Sequence, residues 1–235
     1  MERPYVICHM LTSIDGKVTG DFIFRDECSL ATELYYGINR DYNADAYACG
    51  RVTMEGSFTG GYYPDLSEYN GVNVDNSDHV AKYSKKFFAV AFDPHARLGW
   101  KNSVIEDEDI GYGDAHIIEV LTESVDPRFT AYLKEIGVSY IFAGKTEIDV
   151  KLALFKLRRI FGIEKLLLEG GSIINGAFER EGLVDEISLV VSPVIAAADD
   201  KPLFMNSTVL DFDLIEAKVH DNAVVWLNYK KIDRG

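Results

Sequence analysis

Basic residues are scarce. Over 235 residues, 24 Lys and Arg stand against 38 Asp and Glu, a formal net charge of −14. Such a surface repels phosphate backbones and anionic headgroups on average, so neither nucleic acid nor a membrane surface is expected as a partner. Cysteine is scarcer still. Cys8, Cys28 and Cys49 are scattered and form no CxxC pair, which argues against a disulfide framework and a thiolate zinc site. Cys8 and Cys49 lie in apolar runs and read as small buried hydrophobes. No apolar run approaches the roughly 20 residues that cross a bilayer. Met1-Glu-Arg-Pro-Tyr5 lacks the basic flank and apolar core of a signal peptide. A reduced, cytoplasmic protein is expected.

Several catalytic signatures are also missing. There is no HExxH, no GxSxG elbow, no GxGxxG and no GxxxxGK[ST]. Serine hydrolysis has little support, and no metal is expected. The five histidines, at 9, 79, 95, 116 and 220, fall into no ligand spacing. They read as structural or exposed, with His9 set apart because it lies on the first predicted strand beside the candidate site.

What is present is apolar material in short runs. Hydrophobic residues make up 47% of the chain, with 13 Phe and 13 Tyr, enough for a packed core. Strands are predicted at 5–11, 44–49, 87–92, 116–121, 138–143, 165–168 and 187–194. Helices alternate with them: one capped by Ser29 and running to about Asp41, a short one after Gly50, and one opened by Asp126-Pro127 and closed by Gly137. A further helix runs from Asp149 to Phe161 with Gly162 at its end, and another spans 172–180. Near the C-terminus, 212–219 and 224–231 alternate around Asp221-Asn222, an antiparallel hairpin. The predicted fold is α/β and three-layered. A mostly parallel central sheet is flanked by helices and finished by the hairpin. With no linker or composition break, residues 1–235 read as one domain. Residues 57–80, rich in Tyr, Gly and Asn, have no period, and read equally as a functional flap or a mobile surface insertion.

Chemistry concentrates where strands turn into helices. After the strand at 165–168 come Glu169, Gly170, Gly171 and Ser172. A diglycine opening a helix lets backbone N–H groups approach a phosphate, helped by the helix dipole; it reads equally as a mere tight turn. A carboxylate at a buried strand end is costly without a partner, so Glu169 either meets an NH-rich heterocycle or holds the diglycine turn. Ser13-Ile-Asp-Gly-Lys17 follows the first strand. There Asp15 either orients a substrate or relays a proton, or forms an Asx-turn with its own backbone. Gly50-Arg-Val-Thr53 follows the second strand and offers a hydroxyl and a charge. In open parallel sheets ligands bind at such strand ends. Lys17, Arg51, Arg97 and Lys101 are the candidate phosphate counter-charges in this acidic chain.

Together these segments resemble the riboflavin-biosynthesis reductase family. That family includes the C-terminal domain of the bacterial deaminase–reductase and free-standing archaeal and fungal pyrimidine reductases, and shares its fold with dihydrofolate reductase. The resemblance rests on Arg3-Pro-Tyr-Val6 with the SIDGK loop, and on Ala44-Asp-Ala46 with Gly50-Arg-Val-Thr53. It rests most specifically on Leu168-Glu-Gly-Gly-Ser172, Gly182-Leu-Val-Asp-Glu-Ile187 and Ser192-Pro193. It implies NADPH as cofactor, hydride transfer to a small-molecule carbonyl or imine, and a homodimer formed through sheet edges and C-terminal strands. Carried over residue by residue, it assigns Gly16, Lys17, Gly50, Arg51, Thr53, Asp93, Arg97, Gly170, Gly171, Ser172 and Ile173 to the cofactor. Asp15 and Glu169 become the catalytic pair, with His9 and Ser13 on the substrate side. The expected substrate is a ribosylaminopyrimidine phosphate. A dihydrofolate, pterin or other carbonyl substrate, or a non-catalytic nucleotide-binding module, is the alternative. Three departures stand out: His9 where members usually carry Lys, the 57–80 insertion, and Ala196-Ala-Ala-Asp-Asp200 where a glycine-rich turn is expected.

Overall fold

A computed structural model describes residues 2–72 and 77–232. Asn73 and Asn76 of the predicted loop lie outside the described residues. In chain order the elements begin with β1 (Tyr5–Thr12), α1 (Ser29–Tyr42), β2 (Ala46–Gly50), α2 (Arg51–Met54), β3 (Phe88–Phe92) and β4 (His116–Leu121). They continue with α3 (Pro127–Glu135), β5 (Ser139–Phe142), α4 (Val150–Lys156), β6 (Lys165–Leu168), α5 (Ser172–Arg180), β7 (Glu186–Val191), β8 (Phe212–Val219) and β9 (Val225–Lys231). The expected α/β class is the observed one: flanking helices, mostly parallel strands and an antiparallel C-terminal hairpin.

The chain divides into two compact units, Met1–Pro4 with Asp45–Glu164, and Tyr5–Ala44 with Lys165–Gly235. In the first unit β2, β3, β4 and β5 pair in parallel, neighbour to neighbour. Every residue of β3 and β4 is buried. Parallel strands covered on both faces need such unbroken apolar runs, and Phe88-Ala-Val-Ala-Phe92 supplies one. In the second unit β1 pairs in parallel with β6 and β7, and β9 joins β7 and β8 in antiparallel fashion. The apolar stripe of α1 (Leu34, Ile38 and neighbours) packs with Leu11, Val190 and Trp226.

Predicted caps are found at Asp126, which accepts from Arg128 N–H, and at Asp149, which accepts from Leu152 N–H. Gly137 and Gly162 close their helices at φ +76° and +73°, a conformation that costs glycine little. The helix opened by Asp149 runs on to Phe161 as expected, but its last stretch, 157–161, has π rather than α winding. Two expectations are corrected. Ser29 is not the cap: a 3₁₀ turn at Asp26–Cys28 leads into α1, Cys28 takes the cap position, and the Ser29 hydroxyl donates back to Asp26 O. β7 ends at Val191, short of 194, because Pro193 has no N–H to continue the ladder. No helix among the described residues is long and apolar enough to cross a membrane.

The 57–80 segment is pinned where it is described. Tyr63 stacks on Phe129, Tyr69 packs edge-on against Tyr132, and Asn70 accepts from Arg128. The Lys101 ammonium lies over the Tyr62 ring, and His79 exchanges backbone hydrogen bonds with Tyr140. These contacts tie the segment to α3 and β5.

Candidate functional site

The second unit brings two of the predicted turns together through a third segment. Beyond β1, Ser13 folds the SIDGK loop on itself. Its hydroxyl donates to Asp15 Oδ1 at 2.6 Å and accepts from Lys17 N–H at 3.0 Å. Ala196 N–H adds a second hydrogen bond to Asp15, 3.0 Å. The Asp15 carboxyl is exposed, and these two donors hold it below the usual carboxylate range. It is therefore an anion at neutral pH, an acceptor rather than a proton source. Lys17 is engaged: its ammonium donates to the carbonyls of Asp200 (2.7 Å) and Ala198 (3.4 Å).

The diglycine turn meets the same segment from the other side. Gly170 sits at φ +93°, the Gly170–Gly171 peptide is cis, and Gly171 caps α5 with no side-chain hydrogen bond. The Ser172 hydroxyl donates to Pro202 O, and Asn175 Nδ2 to Leu203 O at 3.2 Å. Gly16 O accepts from Leu203 N–H at 3.0 Å, and Lys17 bridges Pro202. Residues 196–205 thus clamp both turns. Sequence reasoning missed this role; the only signal was the departure at Ala196–Asp200 from the glycine-rich pattern.

Glu169 is buried at the end of β6 and accepts from Asn39 Nδ2 of α1 at 2.6 Å. Asn39 is the partner that the burial cost demanded. Burial, reinforced by the Glu169 charge, pushes the neighbouring Cys8 thiol far up, so it is the inert hydrophobe expected. Ile173, on the first turn of α5, is exposed, as are Ile14 and Ile195.

His9 does not reach this surface. It is wholly buried, stacked on Tyr35 at 4.4 Å, with Nε2 2.9 Å from Tyr35 O and Nδ1 3.0 Å from Ser188 Oγ. A carbonyl only accepts, so Nε2 carries the proton and Nδ1 accepts from the Ser188 hydroxyl. Burial lowers its pKa to about 4, so the ring is neutral.

The first unit gathers the remaining predicted residues. Gly50 pairs with Phe92, placing Arg51 and Asp93 at adjacent strand ends. Asp93 is buried and accepts from the N–H groups of His95, Arg97 and Leu98. Burial raises its pKa, and those donors together with the Arg51 charge oppose the rise. Arg51 forms an ion pair with Glu55 at 2.6 Å; Thr53 is half-buried and Arg97 exposed. Sequence reasoning also missed Glu119, wholly buried in β4. It takes a hydrogen bond from the Trp100 indole, while its Oε2 has no partner among the described residues. Burial, and then the charge of Asp93, push its pKa well up. A carboxylate in the middle of His116-Ile-Ile-Glu-Val-Leu121 was the available signal.

Parallel strands that end in glycine turns and helix starts define an α/β protein with its candidate site along the strand ends. Residues 92–226 match the family model described as the RibD C-terminal domain, and the chain belongs to that family. It is 29% identical over 202 residues to a 2,5-diamino-6-ribosylamino-4(3H)-pyrimidinone 5′-phosphate reductase of Aquifex aeolicus, covering 86% of this chain and 82% of that one. A protein of the same name from Methanothermobacter thermautotrophicus is 27% identical over 212 residues, covering 89% and 87%. Among solved structures, a pyrimidine reductase-like protein from Corynebacterium diphtheriae has the same fold, with TM-score 0.70, 17% identity, and coverage of 97% of this chain and 92% of that one.

Proposed function

We propose that the chain is an NADPH-dependent reductase acting on a ribosylaminopyrimidine phosphate of riboflavin biosynthesis. The carrying observation is the alignment of two curated reductases of that activity over 86% and 89% of the chain. The residues present fit a phosphate-bearing dinucleotide. An α5 start without a side-chain cap, preceded by two glycines, suits an anion. A Cβ added at Gly16 would meet nothing within 4 Å, so its backbone is open to a ligand.

When bound, NADPH supplies a hydride. Gly16, Lys17, Gly170, Gly171, Ser172 and Ile173 of the second unit would hold it, and the family resemblance assigns Gly50, Arg51, Thr53, Asp93 and Arg97 of the first unit to the same cofactor. Asp15, an anion at neutral pH, orients N–H donors of the pyrimidine. Glu169, fixed by Asn39, faces the same substrate, and Ser13 sets the Asp15 carboxylate in place. His9 serves the substrate side from behind by ordering β1, α1 and Ser188. The two units are interleaved in sequence, and we read them as one reductase domain. A cytoplasmic homodimer without nucleic-acid partners completes the reading. The outer strand β8, with exposed Leu214, Ile215 and Val219, supports a sheet-edge dimer.

The test is to mix purified protein, NADPH and 2,5-diamino-6-ribosylamino-4(3H)-pyrimidinone 5′-phosphate. Loss of reduced-nicotinamide absorbance is followed, with the product identified by mass spectrometry. Matched NADPH consumption and reduced product are expected. NADPH binding without turnover would leave a nucleotide-binding module and overturn the reductase reading.

A further inference from the structure

A cavity of about 410 Å³ opens in the first unit, at the starting ends of β3 and β4. His116, the first residue of β4, lines it, together with Lys82, Tyr83 and Ser84 ahead of β3 and with Ser103, whose carbonyl accepts from Ile117 N–H at 2.9 Å. The turns assigned to the cofactor in this unit lie past the other ends of the same strands. β3 runs five residues before Asp93, a path of roughly 17 Å at about 3.3 Å per residue. None of the residues assigned to cofactor or substrate lines the cavity.

The position of the proton on His116 follows from Ser139. His116 is 2% exposed, and burial lowers its pKa to about 4, so the ring is neutral and carries one N–H. The fully buried Ser139 hydroxyl oxygen accepts from Ala81 N–H at 3.0 Å and lies 2.8 Å from His116 Nε2. Ala81 only donates, so the hydroxyl proton goes to His116 Nε2, and the ring's own proton sits on Nδ1. That Nδ1 makes no hydrogen bond among the described residues, and it is not one of the unpartnered atoms sealed in the interior. It is the polar atom that His116 turns toward the cavity it lines. An N–H at a nearly buried position is rarely left without an acceptor. The rest of the wall adds donors of the same kind. Lys85 is spent on Asp114, which leaves the Lys82 ammonium as the surplus charge, and Ser84 and Ser103 bring hydroxyls. In a chain of net charge −14, the run Lys82-Tyr-Ser-Lys-Lys86 is a local reversal of sign.

We propose that this cavity is a second ligand site, one that takes the phosphate group of a small phosphate monoester. The terminal oxygens accept from His116 Nδ1–H, the Lys82 ammonium and the hydroxyls of Ser84 and Ser103, and the organic part lies against the Tyr83 ring. A phosphate monoester offers three strong acceptor oxygens where a carboxylate offers two, which suits this set of donors. A bare phosphate would leave most of the 410 Å³ unfilled. The site stands apart from the reductase reading and does not depend on it.

Phenyl phosphate is the probe, with phenol, benzoate and inorganic phosphate as controls, and binding is followed on the whole chain at pH 7 by the ring nitrogen resonances of His116. In the free protein these resonances are expected to show the proton on Nδ1. Phenyl phosphate is expected to shift the Nδ1 signal in a saturable way. Phenol should leave it in place, and benzoate and inorganic phosphate should each bind about tenfold more weakly, the loss expected for about one hydrogen bond or contact. Lys82→Ala and Ser103→Ala are each expected to weaken phenyl phosphate by about tenfold or more, the larger loss falling on the charged donor. If one variant fails to fold, the other and the control compounds still decide. A proton on Nε2 in the free protein, no shift at His116, or unchanged affinity in both variants overturns the proposal. Benzoate or inorganic phosphate binding as tightly as phenyl phosphate overturns the assignment to a phosphate monoester.

Discussion

Lowering the pH tests the buried state of His9. In the folded protein its pKa stands at about 4, against 6.5 for an ordinary histidine, and the cause is burial. The unfolded chain thus binds a proton at pH values where the folded chain does not. Stability is full above 6.5 and is lost as pH falls toward 4. The whole difference corresponds to about 3 kcal/mol, of which about 2 kcal/mol is lost between pH 7 and about pH 5. His9→Gln isolates this contribution. A glutamine amide can donate to Tyr35 O and accept from the Ser188 hydroxyl but does not titrate in this range; it gives up the Tyr35 stacking at every pH alike. Denaturant unfolding of both proteins across that window is expected to show a steeper pH dependence in the wild type by about 2 kcal/mol. Other titrating groups cancel in the comparison. Parallel pH profiles, or a His9 ring signal that titrates near 6.5, would refute the reasoning.

Three further outcomes are expected. Gly170→Val forces a branched side chain into a backbone at φ +93° and brings its Cβ to 3.1 Å from Met10 Cε. The backbone strain alone is about 1–2 kcal/mol, and NADPH affinity measured by calorimetry on the folded variant should fall strongly; unchanged affinity would remove this turn from the site. Asp15→Asn keeps the shape of the SIDGK loop and removes the anion, so turnover should drop more than NADPH affinity, and the reverse result would make Asp15 a structural residue. Gly99→Ala places a Cβ on top of the Tyr62 carbonyl. Unfolding free energy should fall by roughly 1–3 kcal/mol, and an unaltered value would mean that the 57–72 stretch is not held against Gly99.

Much of the fold was legible because it rests on local rules. Unbroken apolar runs such as Phe88–Phe92 mark covered parallel strands, and Asp126-Pro127 and Asp149 mark helix starts by the hydrogen bonds their side chains make. Ser29 misled because a 3₁₀ turn upstream already supplied the helix entry, a matter of backbone path rather than residue type. The 57–80 segment looked equally like a flap or a free insertion. Its described residues Tyr63 and Tyr69 are held by the aromatic partners Phe129 and Tyr132, more than fifty residues away in the chain.

The sequence by itself determined the α/β class, the turn-bearing strand ends and the family, because period, glycine placement and the EGG and GLVDE segments are written in consecutive residues. Tertiary structure alone decided what each side chain does there. It showed Asp15 as an exposed anion between Ser13 and Ala196, Lys17 engaged by the carbonyls of Ala198 and Asp200, Glu169 held by Asn39, and His9 sealed against Tyr35 and Ser188. Charge state and hydrogen-bonding capacity depend on burial and on partners brought from distant parts of the chain, and no local pattern encodes them.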